Sequence, residues 1–286
     1  MKDFILNSQN LPDSFRVWIL FISLFLFSLI EFLSGLKINK MYWKHFWLNF
    51  KFLFYVAPVQ FFFGIVLVYV FKYCNDAHFG IFNLLVIDNF WLYCVLVFLY
   101  LDFCEYVYHV VMHRFKKLWM FHAVHHSDKN VNTSTVLREH PGETFIRLTC
   151  LSVFVLFGGM SVGVFIFRQI IQVFYTVFVH SAFRFSPIWD KIISSVFITP
   201  NMHQVHHHEK EPWTDTNYGD IFSIWDRLFR TFQRVDDPNL IVHGLDVFPD
   251  SNEVMHMGSL LKIPFTKYRS KDDLSQNIDM SNIDQS

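Results

Sequence analysis

The sequence predicts an all-α integral membrane protein: about four transmembrane helices or helix hairpins, with a helical cap on one side of the bilayer. Three observations carry that prediction. First, 52% of the 286 residues are hydrophobic, 19% are aromatic and only 17% are charged, with Phe alone contributing 36. Soluble chains average about 25% charged residues. Second, the apolar residues gather into runs of membrane-spanning length. Third, 15 histidines are present and eleven of them fall between His109 and His208. So apolar a composition excludes a disordered chain, and a net charge of -1 gives no support to nucleic-acid binding.

The runs are Val17–Leu36, Phe52–Phe71, Ile81–Phe103, and Phe145–Phe167 followed closely by Ile170–Phe183. Each of the first three is about 20 residues, the length that crosses a hydrocarbon core of about 30 Å. The last pair, with Gly158, Gly159 and Gly163 between its halves, reads as a helical hairpin that crosses and returns. Buried helices of a large soluble core are the competing reading. Nearly uncharged runs of this length, repeated this often, argue against it. No secretory signal peptide is expected, because the first run starts only after Arg16 and lacks a small-residue exit; a retained anchor fits better.

Charge placement orients the spans. Residues 37–51 carry Lys37, Lys40, Lys44 and Lys51 with Trp43 and Trp47, which reads as a cytoplasmic loop at the interface. Alternation then brings residues 114–117, with Arg114, Lys116 and Lys117, to the cytoplasmic side, as the rule requires. The hairpin leaves and returns, so all the clustered histidines land on that side, as does the C-terminus. Residues 184–232 are amphipathic and read as a cytoplasmic cap. Residues 1–266 read as one membrane-embedded domain with its core motifs in 99–232, and 267–286, rich in Ser, Asp, Asn and Gln, as a disordered tail. No repeat of fixed period is present. Cys74, Cys94, Cys104 and Cys150 form no CxxC pair and read as buried structural thiols.

The chemistry is expected where the histidines cluster. His109 and His113 are four apart, so on a helix both rings share a face. His122, His125 and His126 repeat that logic at i, i+3 and i+4, and His203, His206 and His207 repeat it again. His180 stands alone at the end of the last apolar run. Neutral imidazole binds zinc, copper, iron and nickel. One metal rarely takes more than six ligands, so nine imidazoles point to two ions. Zinc sites close with four ligands, or with three when catalytic, so ligand number favours two irons with room for dioxygen. No HExxH zinc-protease pattern exists: Glu139-His140 has that pair in the wrong order. His45, His78, His208, His243 and His256 read as ordinary polar positions.

At these residues the sequence resembles the fatty acid hydroxylase / sterol desaturase superfamily of membrane di-iron enzymes. The resemblance runs from about Leu99 to Phe265. It is carried by Asp102-Phe103, Tyr108-His109…His113-Arg114, Leu118-Trp119…His122…His125-His126-Ser127, Asn132…Thr135…Arg138-Glu139-His140-Pro141…Glu143, His180-Ser181, Thr199-Pro200…Met202-His203…His206-His207, Asn217-Tyr218-Gly219, and the closing run Ser223 to Phe229. Many relatives have Arg where this chain has Val110, and Asn where it has Ala182. Some have a histidine where it has Thr176, which leaves a tenth ligand open.

The resemblance implies a cytoplasmic di-iron site that uses dioxygen to oxidise an unactivated C–H bond of a membrane lipid, with hydroxylation as its leading outcome. The lipid would be a sterol, fatty acyl chain, carotenoid or alkylglycerol, drawn from the bilayer. It also implies a separate electron donor of cytochrome b5 or ferredoxin type with its reductase, since no fused redox domain is visible. His109, His113, His122, His125, His126, His180, His203, His206 and His207 map onto the ligand positions. Asp102, Asn132, Arg138, His140 and Asn217 are candidates to support them, because metal-bound imidazoles need a partner on the other nitrogen; helix caps and turn formers are the competing reading. Desaturation at the same site, a membrane metal transporter and an inactive scaffold remain as alternatives. A transporter would place its ligands at mid-membrane, whereas these clusters lie beyond the span ends.

Overall fold

A computed structural model describes residues 1–267 except 13, 211, 212, 236, 238, 239, 249, 251 and 252. The expected disordered tail therefore lies, from residue 268 on, outside the described residues. The described chain is helical and contains no β-strand. In order the helices are α1 (Lys2–Leu6), α2 (Ser14–Leu33), α3 (Lys40–Asp76), α4 (Ile81–Leu84), α5 (Phe90–Arg114), α6 (Lys116–His126), α7 (Pro141–Gly158), α8 (Val162–His180), α9 (Pro187–Ile193), α10 (Pro200–His206), α11 (Ile224–Leu228) and α12 (Met257–Lys262).

Four segments are long and apolar enough to cross a membrane: Lys40–Leu84, Phe90–Arg114, Pro141–Gly158 and Val162–His180. α3 packs on α7 and α2 on α8. Val97 and Leu101 of α5 meet Leu151 and Val155 of α7 and Val164 and Phe165 of α8 in the central apolar core. The outward faces stay greasy, with Phe25 72% and Phe61 74% exposed, as lipid contact requires.

The structure moves several expected boundaries. The lysine-rich segment 37–51 is not a loop. From Lys40 it forms the first turns of α3, because the Asn39 side chain accepts hydrogen bonds from Met41 N and Tyr42 N and caps the helix. α3 reaches 37 residues, about 55 Å at 1.5 Å per residue. Its N-terminal end extends beyond the apolar run, and Leu48 there packs with Phe52 on Met120 and Val124 of α6.

The third span starts at Phe90 rather than Ile81, where Asn89 caps it by accepting from Trp91 N and Leu92 N. The hairpin turns at residues 159–161, among the expected glycines, and its second helix begins at Val162. Gly159 makes that turn in the left-handed region, φ 62°, and a β-carbon there would strike Phe79 O. All four cysteines are free thiols, three of them buried.

Candidate metal centre

Two tight turns and one hairpin bring the histidines together. α5 delivers His109 and His113 on one face at its inner end. The chain reverses at Phe115, and α6 returns with His122, His125 and His126. α8 ends at His180. α10 is fixed at its start by Thr199, which accepts from Met202 N and donates to Asp190, and presents His203 and His206 with His207 at its C-cap.

The nine rings sort into two groups. His109, His113, His122, His126 and His206 form one; His125, His180, His203 and His207 form the other. Within each group one nitrogen per ring lies within 4.8 Å of all the others. The groups adjoin through His126 and His207, whose rings stack at 4.5 Å.

The hydrogen bonds fix which nitrogen points inward. His109 Nδ1 donates to Tyr218 O, and His122 Nδ1 donates to Glu143. In a neutral ring the other nitrogen is then a bare lone pair. Yet His109 Nε2 and His122 Nε2 stand 3.1 Å apart. The second group repeats this arrangement. His125 Nδ1 donates to Arg138 O and His180 Nδ1 to Thr176 O, while their Nε2 atoms stand 3.0 Å apart.

Burial pushes the His122 and His125 rings down to about 3, so neither pair is relieved by protonation. Two facing lone pairs repel unless a cation lies between them. Two nitrogens about 2.1 Å from a shared ion, at right angles, stand about 3 Å apart. Within the same two groups His113 Nε2, His206 Nε2 and both nitrogens of His126 are buried without a partner. The donor set therefore fits two imidazole-bound metal ions.

The outer hydrogen bonds come chiefly from one loop. Asp215 Oδ1 accepts from His113 Nδ1 at 3.0 Å, Thr216 O from His206 Nδ1 at 2.7 Å, and Tyr218 O from His109 Nδ1 at 2.9 Å. Asn217 sits between them at φ 55°, in the left-handed region that turns successive carbonyls toward the histidines. Its side chain holds Met202 O of α10 and both backbone groups of Gln233. Asn217 thus supports the site through the loop rather than by touching a ligand ring.

The other candidate supports divide. Arg138 is fully buried. Its carbonyl holds His125, and its guanidinium donates to Val124 O, Ser127 Oγ, Asn49 Oδ1 and Val254 O. Asp102 accepts from Ile221 N, Phe222 N and Trp225 Nε1, so it fastens the segment after the 215–218 loop and meets no ligand ring. His140 caps α7 by accepting from Gly142 N, and its Nε2 donates to Leu261 O. Asn132 is a capping residue too, and its amide donates to His45. Both side chains cap, and neither makes a hydrogen bond to one of the nine rings. Thr176 contributes its carbonyl to His180, and neither group contains a tenth imidazole.

Several buried, hydrogen-bonded polar residues escape sequence reasoning. His45, read as an ordinary polar position, is 2% exposed; it donates to Asp128 and accepts from Asn132. Burial alone would raise the Asp128 carboxyl; the His45 ring, its hydrogen bond and the Arg138 guanidinium outweigh that and hold it below the usual range. Glu31, the lone charge in the first apolar run, accepts from Thr133 N and Ala182 N. Arg168 is wholly buried and donates to Asp220. For Glu31 the signal is a charge inside an apolar run; Arg168 lies between two such runs.

A cavity of about 500 Å³ opens on the histidines. It reaches His109 and His122 of one group and His125, His180 and His203 of the other, and extends between α2 and α3 along Val17, Leu20, Leu53, Val56, Phe63 and Leu67.

The family model described as fatty acid hydroxylase matches residues 94–231. The alkylglycerol monooxygenase of Caenorhabditis elegans is 29% identical over 161 residues, 54% of this chain and 29% of that protein. The alkylglycerol monooxygenase of Danio rerio is 31% identical over 160 residues, 55% of this chain and 34% of that protein. The ornithine lipid hydroxylase OlsE of Rhizobium tropici is 28% identical over 140 residues, 48% of this chain and 41% of that protein. The matched regions thus span about a third of the alkylglycerol monooxygenases. No solved structure matches. Residues 94–231 thus match the fatty acid hydroxylase family model, and the relatives' names fit the fatty acid hydroxylase / sterol desaturase superfamily that the sequence motifs resemble.

Proposed function

We propose that this protein is a membrane-bound, non-haem di-iron oxygenase that hydroxylates an unactivated C–H bond of a membrane lipid. The observation that carries the reading is the pair of facing imidazole groups opening on one cavity that runs out between α2 and α3. The nine histidines would hold two iron ions, which supply dioxygen activation when bound.

The chain's own residues set the conditions. The Nδ1 hydrogen bonds to Glu143, Asp215, Arg138 O, Thr176 O, Thr216 O and Tyr218 O present six Nε2 lone pairs inward in fixed orientations. The apolar walls admit an alkyl or isoprenoid chain from the bilayer and keep bulk water from the reacting carbon.

Lys40, Lys44 and Lys51 near the start of α3, and Arg114, Lys116 and Lys117 at the α5–α6 turn, are exposed at the histidine end of the bundle. By the positive-inside rule this supports a cytoplasmic side for the metal centre. Electrons would come from a separate cytochrome b5- or ferredoxin-type donor with its reductase. The names of the curated relatives, alkylglycerol monooxygenase and ornithine lipid hydroxylase, support hydroxylation over desaturation.

Untargeted lipid analysis of cells expressing the protein or its His206→Ala variant tests the reading. One lipid class is expected to gain an oxygen atom only with the unaltered chain. Loss of two hydrogens instead would establish desaturation, and an unchanged lipid profile would overturn both.

A further inference from the structure

α2 lies outside residues 94–231, which the family model matches, and carries no histidine. Its last turn nevertheless reaches the four-histidine group. Glu31 stands there, 1% exposed, in an otherwise apolar stretch. A carboxylate in such a helix is costly unless paired, so its partners mark what it is kept for.

Both partners are backbone amides, and both donate to one oxygen. Thr133 N lies 2.8 Å from Glu31 Oε1, and Ala182 N lies 2.7 Å from it. Neither amide is served by its own helix. Thr133 opens a 3₁₀ turn, Thr133–Leu137, and the first N–H groups of a helix have no acceptor within it. Ala182 follows Ser181, the C-cap of α8.

Each amide leads to a histidine of that group. The 3₁₀ turn ends at Arg138, whose carbonyl accepts from His125 Nδ1. Ala182 comes two residues after His180. The peptide joining Ser181 to Ala182 is held from its other side too: Ser181 O accepts from Gln204 Nε2 at 3.0 Å, and Gln204 follows His203 on α10. Glu31 thus joins the segments that carry His125, His180 and His203, three of the four rings. The five-histidine group takes its outer bonds from Glu143 and the 215–218 loop instead.

We propose that Glu31 is a positioning residue for the four-histidine site: it fixes the backbone from which these rings reach a metal ion, and it does so as a hydrogen-bond acceptor rather than as a charge. The proposal rests on the reading of that group as a metal site. Glutamine here keeps an acceptor oxygen for both amides. Methionine keeps the length of the side chain but leaves both amides without this acceptor.

Metal-stripped full-length protein in phosphatidylcholine nanodiscs, titrated with Co²⁺ against a competing chelator, tests this. His206→Ala isolates the four-histidine site, and His207→Ala the five-histidine site. In the first background Glu31→Met is expected to weaken Co²⁺ binding by about tenfold, and Glu31→Gln by less than about threefold. In the second, neither is expected to change it by more than about twofold. Leu24→Ala removes packing from the same helix, so it is expected to lower the thermal midpoint and leave Co²⁺ binding unchanged.

Equal weakening of both sites by Glu31→Met overturns the proposal, as does weakening of neither. So does a loss with Glu31→Gln or Leu24→Ala as large as with Glu31→Met. If Glu31→Met does not fold, hydrogen exchange of the unaltered metal-free protein decides. Slow exchange at Thr133 and Ala182 is expected, and exchange as fast as at exposed turns overturns the proposal. Binding is read without turnover, so the two readings separate. Selective weakening in a protein that oxidises no lipid sustains the positioning role and removes the oxygenase. Lipid oxidation by a protein whose Co²⁺ sites ignore Glu31→Met does the reverse.

Discussion

The two histidine groups hold similar rings by unlike means. In the five-histidine group, four rings have the outer nitrogen fixed: His109, His113 and His206 by the 215–218 loop, and His122 by Glu143. Two of those acceptors are carboxylates. In the four-histidine group only His125 and His180 are held, both by neutral carbonyls, and the Nδ1 atoms of His203 and His207 have no partner among the described residues. Fixed outer partners orient a ligand and raise its basicity. On the proposed function, the difference teaches that one centre would be prearranged before a metal arrives, while the other would depend more on the metal for its order. Staged addition of a chelator should empty the four-histidine site first.

Breaking the weaker side at its root gives the largest expected effect. Arg138→Ala removes four side-chain hydrogen bonds and takes from Asn49 Oδ1 and Val254 O, both in the interior, the guanidinium they accept from. The expected loss is more than about 3 kcal/mol, read as a drop in thermal midpoint, with Arg138→Lys rescuing little. A midpoint within a degree or two of the unaltered chain would refute the clamp. Next comes the stronger side: Glu143→Ala frees His122, and metal affinity of the five-histidine group is expected to fall by about 10–100-fold in competition titrations.

Acid sharpens the comparison for the metal-free chain. An unfolded imidazole titrates near about 6.5, whereas burial takes His122 and His125, one from each group, to about 3. Between those values the unfolded chain binds more protons, so stability is full above about 6.5 and declines as the pH falls toward 3. A thermal midpoint of stripped protein that stays flat from about pH 7 to pH 4 would contradict this. The smallest effect belongs to Asp215→Asn. Its carboxylate is 39% exposed, so solvent substitutes in part, and a loss of metal affinity of no more than about tenfold is expected.

Much of this was legible in the chain. The spacings at 109/113, 122/125/126 and 203/206/207 encode convergence directly, since i, i+3 and i+4 share a helix face. What spacing does not encode is the partition. His125 and His126 are adjacent yet belong to different groups, because consecutive helical residues point about 100° apart. Nor does it encode the outer partners, most of which are backbone carbonyls with no residue signature; only the Asn217 turn hinted at them. The lysine-rich stretch 37–51 read as a loop because charge suggests an interface. It is helix because nothing in it breaks one and Asn39 caps it. Glu31 stood out as the charge in its apolar run, but its partner Thr133 lies 102 residues away and only the fold reveals it.

The account stands on two separate metal sites sharing one cavity. Metal content of the purified full-length protein, with His206→Ala and His207→Ala beside it, tests that most directly. The expected result is two ions per chain for the unaltered protein and one for each variant, with the ion left in His206→Ala released more readily to chelator than the ion left in His207→Ala. One ion per chain in the unaltered protein, or full metal content in both variants, would contradict it.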